Sequence, residues 1–106
     1  MDREQIQFIY ITVKDAIEAE KIARALVEER LVACGNILPG ITSIYIWKNE
    51  LQFDQEVLLF LKTKASLVER AIARAKELHS YEVPCIVSYE AKNGNLDYLD
   101  WIRNSL

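Results

Sequence analysis

"ITSIYIWKNELQFDQEVLLFLKTK", residues 41–64, is the stretch on which the fold turns. Ile41, Thr42, Ile44, Tyr45, Ile46 and Trp47 are β-branched or aromatic, residue types that fit a pleated, half-buried surface. Lys48-Asn49-Glu50 interrupts the run and reads as a hairpin tip. Residues 51–64 then return as a long strand. Strands of ~5–6 residues are the rule, so this hairpin is longer than a small domain needs.

Upstream, "LVACGNIL" (31–38) reads as a strand leading into the hairpin, and Pro39-Gly40 is a turn or bulge signal. Further upstream, "QIQFIYITVK" (5–14) places Ile9, Ile11 and Val13 on one face and Ile6, Phe8 and Tyr10 on the other. Apolar residues on both faces predict an inner strand. Asp15 with Glu18 makes an aspartate capping box. The helix after it carries Ala19, Ile22, Ala23, Leu26 and Val27 as one stripe and ends near Arg30. Downstream, Ser66 and Glu69 suggest a second capping box, with Val68, Ala71, Ile72 and Ala75 as the apolar stripe. Pro84 opens a last strand, "PCIVSYE", and Asn93-Gly94 is a turn. Asn95 caps a short helix with Tyr98, Leu99, Ile102 and Leu106 on one side.

The order is strand, helix, strand, strand, helix, strand, then a short C-terminal helix. That is the split βαβ pattern of an α+β, ferredoxin-like sandwich (βαββαβ), an antiparallel sheet with two helices on one face. Apolar residues on both faces of its strands predict a cover for the other face, and an oligomer is the obvious one.

Composition narrows the function. The 106 residues read as a single domain, 1–106, of which 51% are hydrophobic, enough for a core without staples. The net charge is −3 and no basic stripe stands out, which argues against nucleic acid, whose binding draws on Lys and Arg meeting phosphate. The longest apolar run, Val57 to Leu61, is far short of the ~20 residues a membrane span needs. The polar start "MDREQIQF" is unlike a secretory signal, so a cytoplasmic protein is expected. Cys34 and Cys85 are not spaced as a CxxC pair and make no disulfide framework. No GxGxxG, P-loop or nucleophile elbow occurs, and Glu28-Glu29 falls on a helix surface. The expectation is a protein that is not an enzyme.

Chemistry concentrates in "ELHSYEVPCI", 77–86, which holds the only histidine. His79 lies four residues after Ala75, beside the buried stripe of the second helix, so it reads either as a helix-end residue or as a ligand. Glu82 and Tyr81, in the connection that follows, are either solvated loop residues or partners of His79. Cys34 is either a small packed thiol or a ligand suited to Cu(I) or zinc. Glu56 and Lys62 share one face of the long strand, as charged ends of a buried segment or as the border of a cleft. Trp47, Tyr45 and Phe53 flank the hairpin tip, where large aromatics are usually interface anchors.

"LVACGNILPGITSIYIWKNEL", "DQEVLLFLKTK", "ELHSYEVPCI" and "GNLDYLDWI" occur in that order, and together they resemble the CutA divalent-cation-tolerance family. The resemblance covers about Ile9 to Trp101. It implies a compact homotrimer similar to the PII signalling proteins, with a divalent metal ion, copper foremost, as its ligand and no metal needed for folding. It implies metal-ligand roles for His79, Cys34 and Glu82, and structural or cleft-lining roles for Lys62, Glu56, Tyr81, Tyr45, Trp47, Tyr98 and Trp101. The family usually reads "HPYEVPEI"; Ser80 here predicts a looser loop, and Cys85 a shift toward soft metals. Gly35 stands where a larger apolar residue is common. The alternative function is a PII-like regulatory or interaction module that binds a small anion or a partner protein at inter-subunit clefts. The same element order occurs in RNA-recognition domains, but the aliphatic "EVLLFLKTK" lacks their aromatic strand motif.

Overall fold

The computed structural model describes residues 4–106; Met1 to Arg3, part of the polar start considered above, lie outside the described residues. The chain forms β1 (Ile6–Val13), α1 (Ala16–Glu28), β2 (Cys34–Trp47), β3 (Glu50–Lys64), a 3₁₀ turn (Ala65–Leu67), α2 (Val68–Leu78), β4 (Ile86–Ala91) and α3 (Leu96–Asn104). The sheet order is β2-β3-β1-β4, and each neighbouring pair is antiparallel. This is the expected ferredoxin-like sandwich, with β1 as an inner strand.

One face of the sheet carries the core. Ile9, Ile11 and Val13 of β1 stand opposite Leu61, Leu59 and Val57 of β3. They pack under Ala19, Ile22 and Leu26 of α1 and Ala71 and Ala75 of α2. Gly35 sits below α1: a Cβ there would lie 3.1 Å from both Ala23 Cβ and Leu61 Cδ2. The missing side chain lets the helix approach the sheet. On the opposite face, α3 covers only one end, where Leu99 and Ile102 pack on Ile6 and Phe8.

The expected second strand begins later than predicted. Arg30 takes a left-handed conformation (φ 60°), and the N–H groups of Leu31 and Val32 turn back to Leu26 O. Residues 31 and 32 therefore finish the helix cap, Ala33 N–H already reaches Lys62 O, and β2 starts at Cys34. The strand then runs unbroken through Pro39-Gly40, which form a bulge: Pro39 pairs with Val57 and Ile41 with Glu56. Gly40 has φ 83°, a conformation that glycine adopts without strain. The tip, Lys48-Asn49, has positive φ at both residues, as a two-residue type I′ turn requires.

The three capping predictions divide. Asp15 accepts the Glu18 N–H at 2.8 Å, and Asn95 accepts from Asp97 N–H. Ser66 does not cap α2: the 3₁₀ turn displaces the helix start, and the Ser66 N–H donates to the Glu4 carboxylate. Glu29 is no free surface acid either, since Arg74 of α2 grips its carboxylate with a fork of hydrogen bonds.

Candidate functional site

α2 ends at Leu78, and His79 turns extended (ψ 139°) to send the chain across the end of the sheet. The His79 side chain is fully buried. Nε2 lies 2.8 Å from Thr12 O, which can only accept, so this nitrogen carries the hydrogen. Nδ1 accepts the Tyr81 N–H at 3.1 Å. Both ring nitrogens thus hold the loop in place. Glu18 of α1 holds the next residue, Ser80. Its carboxylate accepts Ser80 Oγ–H at 2.7 Å and Ser80 N–H at 3.2 Å, and lies 3.3 Å from His79 Nδ1. Ser80 therefore tethers the loop that its lack of a proline ring was expected to loosen. Glu18, read from sequence only as a cap, is buried and is the residue that sequence reasoning missed here. Its spacing was the available signal: Glu18, Ile22 and Leu26 fall four apart on the inward stripe.

The anchored loop walls a cleft of about 770 Å³ on the uncovered sheet face. Its floor includes Tyr10 and Thr12; Ser43, Tyr45, Trp47, Asp54 and Glu56 come from the hairpin, and Tyr81, Glu82 and Cys85 from the loop. The Tyr81 hydroxyl donates to Glu56 Oε2 at 2.7 Å, and the Tyr45 hydroxyl donates to Asp54. Burial, then the bond to Glu56, pushes the Tyr81 phenol far above its ordinary range. The bond to Asp54, foremost, raises Tyr45. Both tyrosines therefore remain donors, and the carboxylates are held as acceptors. Among the described residues no Lys or Arg lines the cleft.

Of the residues singled out from sequence, Tyr45, Glu56, Tyr81, Glu82 and Trp47 meet at this cleft. Glu82 and Cys85 are exposed at its edge. Phe53 sits on the other face of the hairpin, paired with Ile44. Lys62 lies near the far end of β3, donating to the Tyr98 hydroxyl at 3.0 Å and resting against the Phe8 ring. Cys34 pairs with Lys62, which pairs with Phe8 of β1; Thr12, which anchors His79, is four residues further along. At ~3.3 Å per residue this is a separation of about 13 Å along the strand alone. Cys34 and His79 of one chain are therefore not brought together. Among the described residues, no group of three His, Cys, Asp or Glu side chains converges to hold a metal ion. The described donors of one chain do not by themselves fit a metal centre. No helix among the described residues is long and apolar enough to cross a membrane.

A ferredoxin-like sandwich with a long projecting hairpin and an acidic, aromatic cleft defines the class of small sheet proteins to which this chain is to be compared. The family model described as "CutA1 divalent ion tolerance protein" matches residues 7–105, and the chain belongs to that family. The "Divalent-cation tolerance protein CutA" of Thermus thermophilus is 48% identical over 99 residues, 93% of this chain and 96% of that protein. Human "Protein CutA" is 43% identical over 89% of this chain, which spans only 52% of the human protein's length. The solved structure of the Thermus thermophilus protein superposes with a TM-score of 0.91, covering 94% of this chain and 97% of that one. That of CutA1 from Ehrlichia chaffeensis, 31% identical, gives 0.92 over 98% and 97%. These names describe tolerance to divalent cations rather than a reaction.

Proposed function

We propose that the protein serves tolerance to divalent cations by binding a metal ion, copper foremost, as a cytoplasmic homotrimer without catalytic activity. The observation that carries this reading is the cleft, lined by Asp54, Glu56, Glu82 and Cys85 with no basic side chain among the described residues. Such a lining draws cations. At its edge Glu82 and Cys85 offer a carboxylate and a soft thiol, a pair that suits copper, which binds most tightly among the first-row divalent ions. Because too few donors converge among the described residues of one chain, the remaining ligands would come from a second copy. Cys34, half-buried and free, is one such donor; His79 becomes one only if its loop opens.

The test is calorimetric titration of the reduced, metal-free protein with Cu(I), Cu(II) and Zn(II) against competing chelators. Wild type, Glu82→Gln, Cys34→Ser and Cys85→Ser would be compared, with oligomer mass measured for each. Tight binding that is lost in at least one variant of unchanged mass is expected. Weak binding, indifferent to all three substitutions, overturns the reading. For the regulatory alternative, a small anion meets no Lys or Arg of the same chain in this cleft among the described residues, because Lys62 stands toward the other end of β3, beside Phe8 and Tyr98. A partner chain docking on the exposed hairpin, at Phe53 and Trp47, is the form of it that the surface favours.

A further inference from the structure

The Asn93-Gly94 turn takes no part in the cleft, yet it carries a chemistry of its own. The chain has five asparagines, and Asn93 alone is followed by glycine; Ile37, Glu50, Leu96 and Ser105 follow the others. The amide carbon of an asparagine side chain lies within reach of the main-chain nitrogen of the next residue, and attack by that nitrogen closes a five-membered ring. The attack is favoured where the following residue has no Cβ in the way, where its N–H is not already held, and where the peptide is free to turn.

Asn93 meets all three conditions. The pairing of β4 with β1 ends at Ala91 with Ile6, and α3 begins at Leu96, so the turn lies between the two elements. Asn93 and Gly94 are exposed. Among the described residues, neither the Asn93 side chain nor the Gly94 N–H has a hydrogen-bond partner. The other asparagines are differently placed. Asn36 lies in β2 opposite Phe60, Asn95 accepts the Asp97 N–H through its side chain, and Asn104 is the last residue of α3. Asn49 stands in the hairpin tip, where Glu50 brings a Cβ and begins β3.

We infer that Asn93 is a site of self-modification, with water as the only co-reactant. The bond from Gly94 N to Asn93 Cγ forms and the Cγ–Nδ2 bond breaks. The Gly94 amide proton passes through solvent to the departing nitrogen, which leaves as ammonia. Water then opens the succinimide ring. Breaking the new N–Cγ bond gives aspartate. Breaking the original main-chain N–C bond gives isoaspartate, whose main chain runs through Cβ and Cγ and is one methylene longer. Either product adds a negative charge just before α3. The longer chain feeds directly into the Asn95 cap, which holds the Asp97 and Leu99 N–H groups. The inference goes beyond the metal reading and does not rest on it.

The test ages the intact oligomer in heavy-oxygen water at neutral and mildly alkaline pH, beside the chain unfolded in urea. Peptides are then sequenced by electron-transfer mass spectrometry, which separates isoaspartate from aspartate; the heavy oxygen marks conversions that precede digestion. Asn93 should convert first, and faster at the higher pH, with isoaspartate among the products. Asn36, Asn95 and Asn104 should remain amides over the same interval. The native rate should lie within about tenfold of the unfolded one, because nothing described holds the Gly94 N–H. Gly94→Ala should slow conversion about tenfold or more. That variant should keep the fold, since its Cβ would make only ordinary contact with Leu99, at 3.5 Å. The isoaspartate-rich form, isolated by ion exchange, should exchange the Asp97 and Leu99 amide hydrogens faster. Absence of conversion at Asn93 in the native oligomer overturns the inference, as does a rate that Gly94→Ala leaves unchanged. Conversion of another asparagine ahead of Asn93 overturns it too. Unchanged exchange at Asp97 and Leu99 overturns the effect assigned to α3.

Discussion

Leu59 and Phe53 lie on the same strand, six positions apart, and point to the same side of the sheet. Leu59 is completely buried and Phe53 is 64% exposed. Both are large and apolar, and both are paired across to β2, with Ile37 and Ile44. What separates them is the layer above: α1 and α2 lie over the first, and nothing among the described residues lies over the second. A strand's pattern states which residues could be buried together; burial itself comes from what is laid on them. The hairpin thus divides into a half that holds the fold and a half that offers Ile44, Ile46, Leu51 and Phe53 to another molecule.

The largest expected effect is on the covered half. Leu59→Ala should cost ~3 kcal/mol in chemical denaturation, because it removes methyl groups and leaves a void under α1. A loss well under ~1 kcal/mol would mean that the helices do not seal the sheet there. Next is a polar group on the same covered side. Glu18→Ala should cost ~2 kcal/mol, since it strips the acceptor from Ser80 N–H and Oγ–H. Faster amide hydrogen exchange at Tyr81 and Glu82 would accompany it. Retained protection there would show that His79 alone holds the loop. Smallest is the bare half. Phe53→Ser should change the stability of a separated subunit by less than ~0.5 kcal/mol, while shifting the oligomer toward smaller species in sedimentation. If it destabilised the separated subunit as much as Leu59→Ala does, the contrast between the halves would vanish.

Much of this was readable beforehand. The two-residue period of Ile9, Ile11 and Val13, and the helical spacing of Ile22 and Leu26, point inward in the sequence as in the fold. Local signals failed where two were in competition. Glu18 stands three residues after Asp15, a cap spacing, and also on the inward stripe; its partner, Ser80, is 62 residues away and no local pattern reveals it. His79 and Cys34 drew notice as metal-binding types, but their separation follows from strand register, which depends on the whole sheet. Asp54 was passed over, although it stands two residues from Glu56 and hence on its face. The cleft needed the loop to fold back over the sheet, and that is a property of the tertiary arrangement alone.

Gly40 settles a question of parity. Counted strictly in twos from Leu38, which faces Leu58, the outer part of β2 would turn Thr42, Ile44 and Ile46 toward the cleft. Tyr45 and Trp47 would then lie on the opposite side, with Phe53. The bulge absorbs one residue and restores the count, so Ser43, Tyr45 and Trp47 stand on the side of Asp54 and Glu56. A residue with no side chain, and with open space where a Cβ would stand, thereby decides which of two chemistries each side of the hairpin displays. Gaining or losing one position there, without a compensating bulge, turns the outer hairpin inside out. For a lineage, that is a one-codon route to exchanging a ligand surface for an assembly surface.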